Sequence, residues 1–259
     1  MKSASPLPFF LPDTKLFSKS ALKDMISKYK HIYIKPFNSW GGKNVSTLEK
    51  QLQGEYIWTV QGKPSKIFIT KEAACKEIES KSDEQSFIVQ QAAPILAYES
   101  RPFDIRSHIQ RNLDGNWIYE GDLVRVGGDN AIVSNVAISS GSVQETNKIL
   151  SALFPPEVHN LLSDSLVRSS YRICEILDQY YPFIEVGVDF GVDSNGRLWV
   201  IEVNTDDALG SPERELFLQL PDKSIYEKIM KRSEENIEQY LRFMFVSYLN
   251  YLDGNSEQQ

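Results

Sequence analysis

Cysteine is scarce in this 259-residue chain: only Cys75 and Cys174 occur, and they form neither a disulfide framework nor a metal-ligand spacing. A reducing compartment, and with it a cytoplasmic protein, is the expectation. Histidine is as thin, because His31, His108 and His159 lie too far apart in the chain to suggest a histidine-based metal site. Positive charge is in deficit. With 28 Lys and Arg against 35 Asp and Glu, the formal net charge of -7 argues against nucleic-acid binding through a general basic surface. Long apolar runs are also missing. No stretch approaches the roughly 20 apolar residues that a membrane helix needs, and the opening MKSASPLPFFLP, with one Lys and an apolar patch broken by prolines, reads as neither signal peptide nor span. No defensible Ser-His-Asp or Cys-His arrangement is present, so a side-chain nucleophile is not indicated.

The 41% apolar and 24% charged residues that remain describe an ordinary globular protein, long enough for one large or two medium domains. Residues 18–29 open with a Ser cap and carry Leu22, Met25, Ile26 and Tyr29 at helical spacing, and the strand HIYIKP follows at once. Residues 45–70 read as short strands joined by Gly54 and by Gly62-Lys63-Pro64, residues 71–80 as a second helix, and 87–91 as a strand ending at Ala92-Ala93-Pro94. Residues 1–94 form the expected first lobe. The expected second lobe, 95–253, holds strands at 104–111 and 117–126 and a polar loop over 127–142. A helix over 155–180 follows, with Val158, Leu161, Leu162, Leu166, Ile173 and Leu177 as its apolar face, and an amphipathic helix over 224–251 comes last. The tail 254–259 is expected to fray.

The most informative stretch is VGVDFGVDSNGRLWVIEVN, residues 186–204. Asn195-Gly196 between alternating apolar runs predicts a two-residue type I′ turn. Counting outward from a Ser194–Arg197 pair sets Asp189 opposite Glu202 and Gly187 opposite Asn204 on one face, with Val188, Phe190, Ile201 and Val203 on the other. Opposed acids on a sheet repel. A divalent cation removes that repulsion, and Mg²⁺ is commonly held by one or two carboxylates with phosphate oxygens and water completing its shell. The bland alternative is a solvated acidic hairpin.

Lys35 ends an apolar strand and leads into Phe37-Asn38-Ser39-Trp40-Gly41-Gly42-Lys43. Adjacent glycines let backbone amides approach an anion while the lysine adds a point charge, so the loop suits phosphate, although it matches neither Walker A nor Gly-x-Gly-x-x-Gly. An ordinary strand and turn is the alternative. Gln91, Ala92 and Ala93, where a strand passes into an extended hinge, offer backbone groups to a planar base. Arg106 and Arg125 lie on alternating strands, and a guanidinium fork is the preferred partner of phosphate; surface salt bridges are the alternative for each. Asn135 sits in the polar loop, where a turn role is the alternative.

Taken in order, the blocks LPDTKLFSKSALKDMISKY, HIYIKP, SWGGKNV, FIVQQAAP, RPFDIRSHIQ, LVRVGG with IVSNVAISSG, and VGVDFGVDSNGRLWVIEVN resemble the ATP-grasp superfamily, in particular its endospore coat-associated YheC/YheD branch. The resemblance covers nearly the whole chain. It implies an α+β ATP-grasp fold in which two α+β lobes hold ATP between them, with one or two Mg²⁺ ions, or Mn²⁺ in their place. It also implies an ADP-forming ligation in which a carboxylate is phosphorylated and an amine attacks the acylphosphate, the alternatives being a coat-associated structural protein that binds ATP without turnover and a kinase of the same fold. On this resemblance Lys35 meets the α-phosphate, Ser39, Gly41 and Gly42 belong to the flap over the outer phosphates, and Gln91, Ala92 and Ala93 form the adenine hinge. Arg106, Arg125 and Asn135 lie near the transferred phosphate, and Asp189, Glu202 and Asn204 are the metal ligands. The implied substrates are a carboxylate and an amine, with a peptide or protein among the candidates; no nucleic acid or membrane partner is expected, and spore association is implied by the branch. Three departures stand out, one being that the polar loop lacks an additional Arg found in some relatives. About ten residues precede Leu11, so the family's usual N-terminal domain is expected to be missing or supplied by an oligomer or partner, and the first ATP lysine has only Lys2 as a counterpart. After Asn204 the chain reads Thr205-Asp206-Asp207, where the family has small residues and Pro-Gly, so Asp206 and Asp207 are candidate contacts for a cationic acceptor.

Overall fold

Each lobe is built on one antiparallel sheet, and the computed structural model describes residues 7–37, 43–82, 86–206 and 212–256. In the first lobe the elements run β1 (Thr14–Leu16), α1 (Lys19–Lys28), β2 (His31–Pro36), β3 (Ser46–Lys50), β4 (Tyr56–Val60), β5 (Lys66–Phe68), α2 (Lys71–Glu79) and β6 (Phe87–Gln91), in sheet order β1-β6-β2-β3-β4-β5. Ser18 caps α1 by accepting from the Ala21 N–H at 3.0 Å, and Thr70 caps α2 by accepting from the Ala73 N–H at 3.2 Å. The two helices bury Leu22, Met25 and Ile26, and Ala74, Cys75 and Ile78, against Ile32, Ile34, Leu48 and Val89 of the sheet. Each fully buried Leu, Ile or Met contributes about 1.5–3 kcal/mol of transfer free energy. Because strand residues alternate, burying Ile32 and Ile34 under the helices turns His31, Tyr33 and Lys35 toward the second lobe.

The second lobe contains β7 (Ala97–Tyr98), β8 (Arg101–Arg111), β9 (Trp117–Val126), α3 (Val136–Ser139), β10 (Ser142–Gln144), α4 (Thr146–Leu153), α5 (Pro156–Leu177), β11 (Glu185–Val192), β12 (Leu198–Asp206), a 3₁₀ helix (Pro212–Gln219) and α6 (Ser224–Ser256), around a sheet of order β10-β9-β8-β11-β12. One sheet face is apolar: Phe103, Ile105 and Ile109 join Val186, Val188 and Phe190 against Leu162, Leu166 and Ile173 of α5. The other face is polar yet also buried at Asp104, Arg106, His108 and Gln110 of β8: Phe217 of the 3₁₀ helix lies edge-on to His108, Gln110 donates to Ser233 of α6, and Phe217, Leu220 and Ile229 pack with Leu123 of β9. Polar groups buried on that scale must satisfy one another. They do so largely through carboxylate–guanidinium pairs that extend into the cleft.

Several sequence expectations are corrected. The β11–β12 hairpin does not close in a two-residue type I′ turn: the Asp193 N–H donates to Arg197 O at 3.0 Å and the Gly196 N–H to Asp193 O at 3.0 Å. Gly196 has φ 71°, while Asn195 is not in the left-handed region. The turn is thus one residue longer than counted. A bulge between Asp189 and Phe190 on one strand and Val200 and Glu202 on the other restores the count, so Asp189 does oppose Glu202 and Gly187 does oppose Asn204. Ile201, the extra residue, lines the cleft instead of joining the core. Leu161 is 63% exposed and is not part of the buried face of α5. The polar loop contains α3, and α6 continues to Ser256, into the tail expected to fray.

Residues 7–10 lie on the second lobe although they precede the first. The Phe10 N–H donates to Leu198 O at 2.8 Å, the Val200 N–H donates to Phe10 O at 2.9 Å, and Phe10 stacks on Trp199. The chain then crosses beside the hinge, where the Gln91 N–H donates to Asp13 O at 2.8 Å, and enters β1. Among the described residues no helix is long and apolar enough to cross a membrane.

Candidate active site

A cleft of about 670 Å³ lies between the two sheets, lined on one side by β2 and the hinge and on the other by β12 and the loop before α3. Its size is that of a pocket for a nucleotide-sized ligand. Lys35 projects into it from the end of β2. Its ammonium donates to Gln90 Oε1 at 2.6 Å and lies 5.0 Å over the Tyr33 ring. Gln90 Nε2 in turn donates to Thr14 Oγ1 at 3.0 Å, which turns the amide so that its oxygen faces the lysine. Burial lowers the Lys35 pKa, opposed by the charges of Glu202, Asp189 and Asp104 across the cleft.

Gln91, Ala92 and Ala93, where β6 runs into the segment between the lobes, line the cleft. Gln91 Oε1 accepts from the Asp13 N–H at 3.2 Å, the Ala92 N–H donates to His31 O at 3.1 Å, and Ala93 O accepts from the Ile95 N–H at 2.8 Å. The Ala93 N–H enters none of the hydrogen bonds among the described residues, leaving a donor at the hinge for a ligand. Ser39, Gly41 and Gly42 lie outside the described residues, as do Lys2 and Asp207. Asp206 ends β12.

The ionic centre is built from three adjacent strands. Asp104 of β8 holds Arg125 of β9 in a fork, with Arg125 Nε and Nη2 donating to Oδ1 and Oδ2 at 2.8 Å each, and Ser134 Oγ also donates to Asp104. Asp189 of β11 receives Arg106 Nη2 at 3.0 Å and Arg125 Nη2 at 2.7 Å on Oδ2, and Arg106 Nε on Oδ1. All four side chains are buried. Gly187 makes room for this: a Cβ there would come within 3.1 Å of Arg106 Nη1, so the missing side chain lets the guanidinium lie against the sheet. Burial alone would raise the Asp189 pKa, yet the two guanidiniums hold it below the usual carboxylate range. Glu202 is exposed toward the cleft, yet the surrounding protein desolvates its carboxylate and the Asp189 charge adds to this, so its pKa is raised despite Lys35, Arg106 and Arg125.

The sequence-derived site residues therefore take different places. Arg125 lines the cleft, whereas Arg106 lies behind Asp189 and does not. Asn135 lines the cleft too, but its Oδ1 caps α3 by accepting from the Ile138 N–H at 3.3 Å, the turn role its sequence position also allowed. Asp189, Glu202 and Asn204 share one wall. Glu202 makes no hydrogen bond or ion pair among the described residues, and Asn204 Nδ2 is buried without a hydrogen-bond partner. Turned over, that amide would place Oδ1 at the same position. Two carboxylates and an amide oxygen fit a hard divalent cation that takes further oxygens from phosphate. No group of three or more His, Cys, Asp or Glu among the described residues forms a metal cage by itself.

Sequence reasoning gave no site role to Asp104 or Glu213, and it read Gln90 only as part of the hinge stretch Gln90-Gln91-Ala92-Ala93-Pro94. Asp104 carried a signal: it lies two residues from Arg106 on an alternating strand, hence on the same face. Glu213 comes from the 3₁₀ helix, contacts Arg106 Nη1 and sits 3.7 Å from Arg125 Nη1.

A family model described as "YheC/D like ATP-grasp" matches residues 2–242. Endospore coat-associated protein YheD of Bacillus subtilis (strain 168) is 26% identical over 241 residues, covering 90% of this chain and 50% of YheD. Protein YheC of the same organism, also endospore coat-associated, is 26% identical over 201 residues, covering 76% of this chain and 54% of YheC. The chain thus spans about half the length of these curated relatives. Solved structures with a similar arrangement include the C-terminal domain of K. lactis Pby1, described as an ATP-grasp enzyme, with TM-score 0.44 and 19% identity over 85% of this chain and 63% of that one. Campylobacter jejuni biotin carboxylase is another, with TM-score 0.49 and 14% identity over 88% of this chain and 43% of that one.

Proposed function

Given that this chain belongs to the YheC/D-like ATP-grasp family, we propose that it is an ADP-forming carboxylate–amine ligase that makes an amide bond through an acylphosphate. The observation that carries the reading is Arg125, fixed by Asp104 and Asp189 and presented to a cleft whose opposite wall bears Lys35 and whose floor bears Glu202 and Asn204. A carboxylate is a poor electrophile because attack adds charge to an anion, so it must first become a mixed anhydride. In that step a carboxylate oxygen of the acid bonds to the γ-phosphorus while the bond to the β-phosphate bridge oxygen breaks and ADP leaves. The amine then attacks the acyl carbon, phosphate departs with the electron pair of the broken C–O bond, and the amine loses a proton.

The residues act by placement and charge. Lys35 binds the inner phosphates, with Gln90 aiming its ammonium. Backbone groups at Gln91 to Ala93 hold the base. Arg125 stabilises the phosphoryl group as it moves, and Arg106 keeps Asp189 in register with Glu202. Glu202, Asn204 and Asp189 would hold Mg²⁺ or Mn²⁺, which when bound neutralises phosphate charge. Asp206 and Asp207, which follow Thr205 in the sequence, would favour a cationic acceptor such as an amine or a Lys- or Arg-bearing peptide. The coat association in the names of YheC and YheD makes a spore-associated protein a suitable candidate acceptor.

The test is acceptor-dependent release of ADP and phosphate across a panel of acids and amines, with hydroxylamine added to trap the activated acid as a hydroxamate. Formation of AMP and pyrophosphate would refute the mechanism, a stable phosphorylated alcohol would make the protein a kinase, and no ADP with any acid or coat protein would leave nucleotide binding alone.

A further inference from the structure

Arg125 lines the cleft and Arg106 lies behind it beside Asp189, and nearly all the donors of the two guanidiniums face carboxylates of the strands. Arg106 directs Nε and Nη2 to Asp189, and Arg125 directs Nε and Nη2 to Asp104, with Nη2 also on Asp189. What remains is Nη1 of each. Glu213 lies across both: Oε2 contacts Arg106 Nη1, and Oε1 is 3.7 Å from Arg125 Nη1. The carboxylate thus forms an ion pair with each arginine, one oxygen to each, the 3.7 Å contact being too long for a hydrogen bond.

Glu213 differs from the other acids of the centre in two respects. Its side chain is 28% exposed, against 2% for Asp189 and 5% for Asp104, so it stands nearer solvent than either of those carboxylates. It also comes from the 3₁₀ helix and not from the sheet. The next residue, Arg214, is fastened to buried Glu185, with Nε 2.9 and 3.0 Å from the two carboxylate oxygens, and Glu185 also accepts from Gln110 Nε2 at 3.0 Å. The segment is therefore anchored at Arg214 while its neighbour reaches into the cleft. The charge balance points the same way. Asp104, Asp189, Glu202 and Glu213 outnumber Lys35, Arg106 and Arg125, so as it stands the centre opposes a polyanion.

We propose that Glu213 is a tethered stand-in for the anionic group of the substrate: it occupies the free edges of Arg106 and Arg125 and must be displaced before a phosphoryl or carboxylate group can bind there. Because the stand-in is part of the chain, it competes at a high effective concentration, and a free anion binds only if other contacts draw it in. The arginine pair is thereby reserved for ligands that also engage the rest of the cleft. This inference rests on the reading of the cleft as a phosphate site, and its test separates the two.

The probe is inorganic tripolyphosphate with EDTA present, titrated calorimetrically into the full chain as wild type, Glu213→Gln, Glu213→Ala and Glu215→Gln, with Mg-ATP titrated into the wild type in parallel. Glu215 lies on the same 3₁₀ helix, is exposed and bonds to the Tyr226 hydroxyl, so its variant controls for the change in net charge. Removing the stand-in should tighten tripolyphosphate binding by about tenfold or more in both Glu213 variants, while Glu215→Gln stays near wild type. Unchanged or weaker binding in the Glu213 variants, or equal tightening in Glu215→Gln, overturns the proposal. Wild-type binding of Mg-ATP without any tightening in the Glu213 variants refutes the stand-in and leaves the ligase reading in place. Tightening with no Mg-ATP binding by the wild type supports the stand-in and removes the ligase reading.

Discussion

Removing the Asp104 carboxylate should destabilise the protein far more than the loss of a surface ion pair. In Asp104→Ala the buried guanidinium of Arg125 loses both 2.8 Å bonds of its fork and Ser134 loses its acceptor, while the 2.7 Å contact to Asp189 persists. Breaking one side of a buried pair costs about 3–5 kcal/mol because a charge is left without compensation, and the surviving Asp189 contact places this case near about 3. At about 2–4 °C per kcal/mol for a chain of this size, the midpoint of thermal unfolding should fall by about 6–12 °C. Urea denaturation followed by tryptophan fluorescence measures the free energy directly. The reasoning has a second arm. Replacing both partners, Asp104→Leu with Arg125→Met, should recover much of the loss, since no buried charge remains from this pair. A loss under about 1 kcal/mol for Asp104→Ala, or a double variant less stable than the single one, would refute the picture of a buried, mutually dependent pair.

Lys35→Ala should raise the dissociation constant for ATP by about tenfold or more, the equivalent of losing a charge-assisted contact of about 1.5–3 kcal/mol; calorimetry that shows no change would remove Lys35 from the phosphate site. Glu202→Gln should abolish the Mg²⁺-dependent part of ATP binding and leave metal-free binding in place, a pattern that titrations with and without EDTA would expose. Burial depresses the His108 pKa to about 4, against the opposing pull of Glu185 and with Arg214 and Arg106 adding to the depression. A depressed folded pKa makes stability present above the unfolded value near 6.5 and lost as pH falls toward 4, so His108 should account for about 3 kcal/mol of acid sensitivity. In His108→Gln, urea unfolding at pH 7 and pH 4.5 should differ less than in the wild type; an identical pH dependence would refute this.

The elements were legible wherever one face had to be apolar. Ser18 with Leu22, Met25 and Ile26 announces α1, and the alternation of HIYIKP already places Lys35 on the face opposite Ile32 and Ile34. The pairing of Asp189 with Glu202 was also read correctly, but through two offsets of one residue that cancel: a turn longer than Asn195-Gly196 suggests, and a bulge at Ile201. Periodicity cannot reveal a bulge, because the strand on either side alternates normally. Arg106 looked equivalent to Arg125 for a similar reason. Both lie on alternating strands, and only the strand pairing, which sets Arg106 directly opposite Asp189 and Arg125 directly opposite Asp104, distinguishes the guanidinium that lines the cleft from the one that backs it. Glu213 was illegible because a 3₁₀ segment has no long period, and what aims it is the distant buried pair of Arg214 with Glu185.

The crossing of residues 7–16 beside the hinge has a mechanical consequence. The lobes are joined by two ribbons of chain side by side, one descending from β6 through Pro94 and the other rising from Phe10 to β1, and they are stitched together where Gln91 meets Asp13. A single ribbon can bend and swivel. Two in parallel permit flexing about an axis perpendicular to both, but torsion would shear the Gln91–Asp13 stitch or peel Phe10 from β12. Two stitched ribbons therefore resist torsion between the lobes more than a single ribbon would.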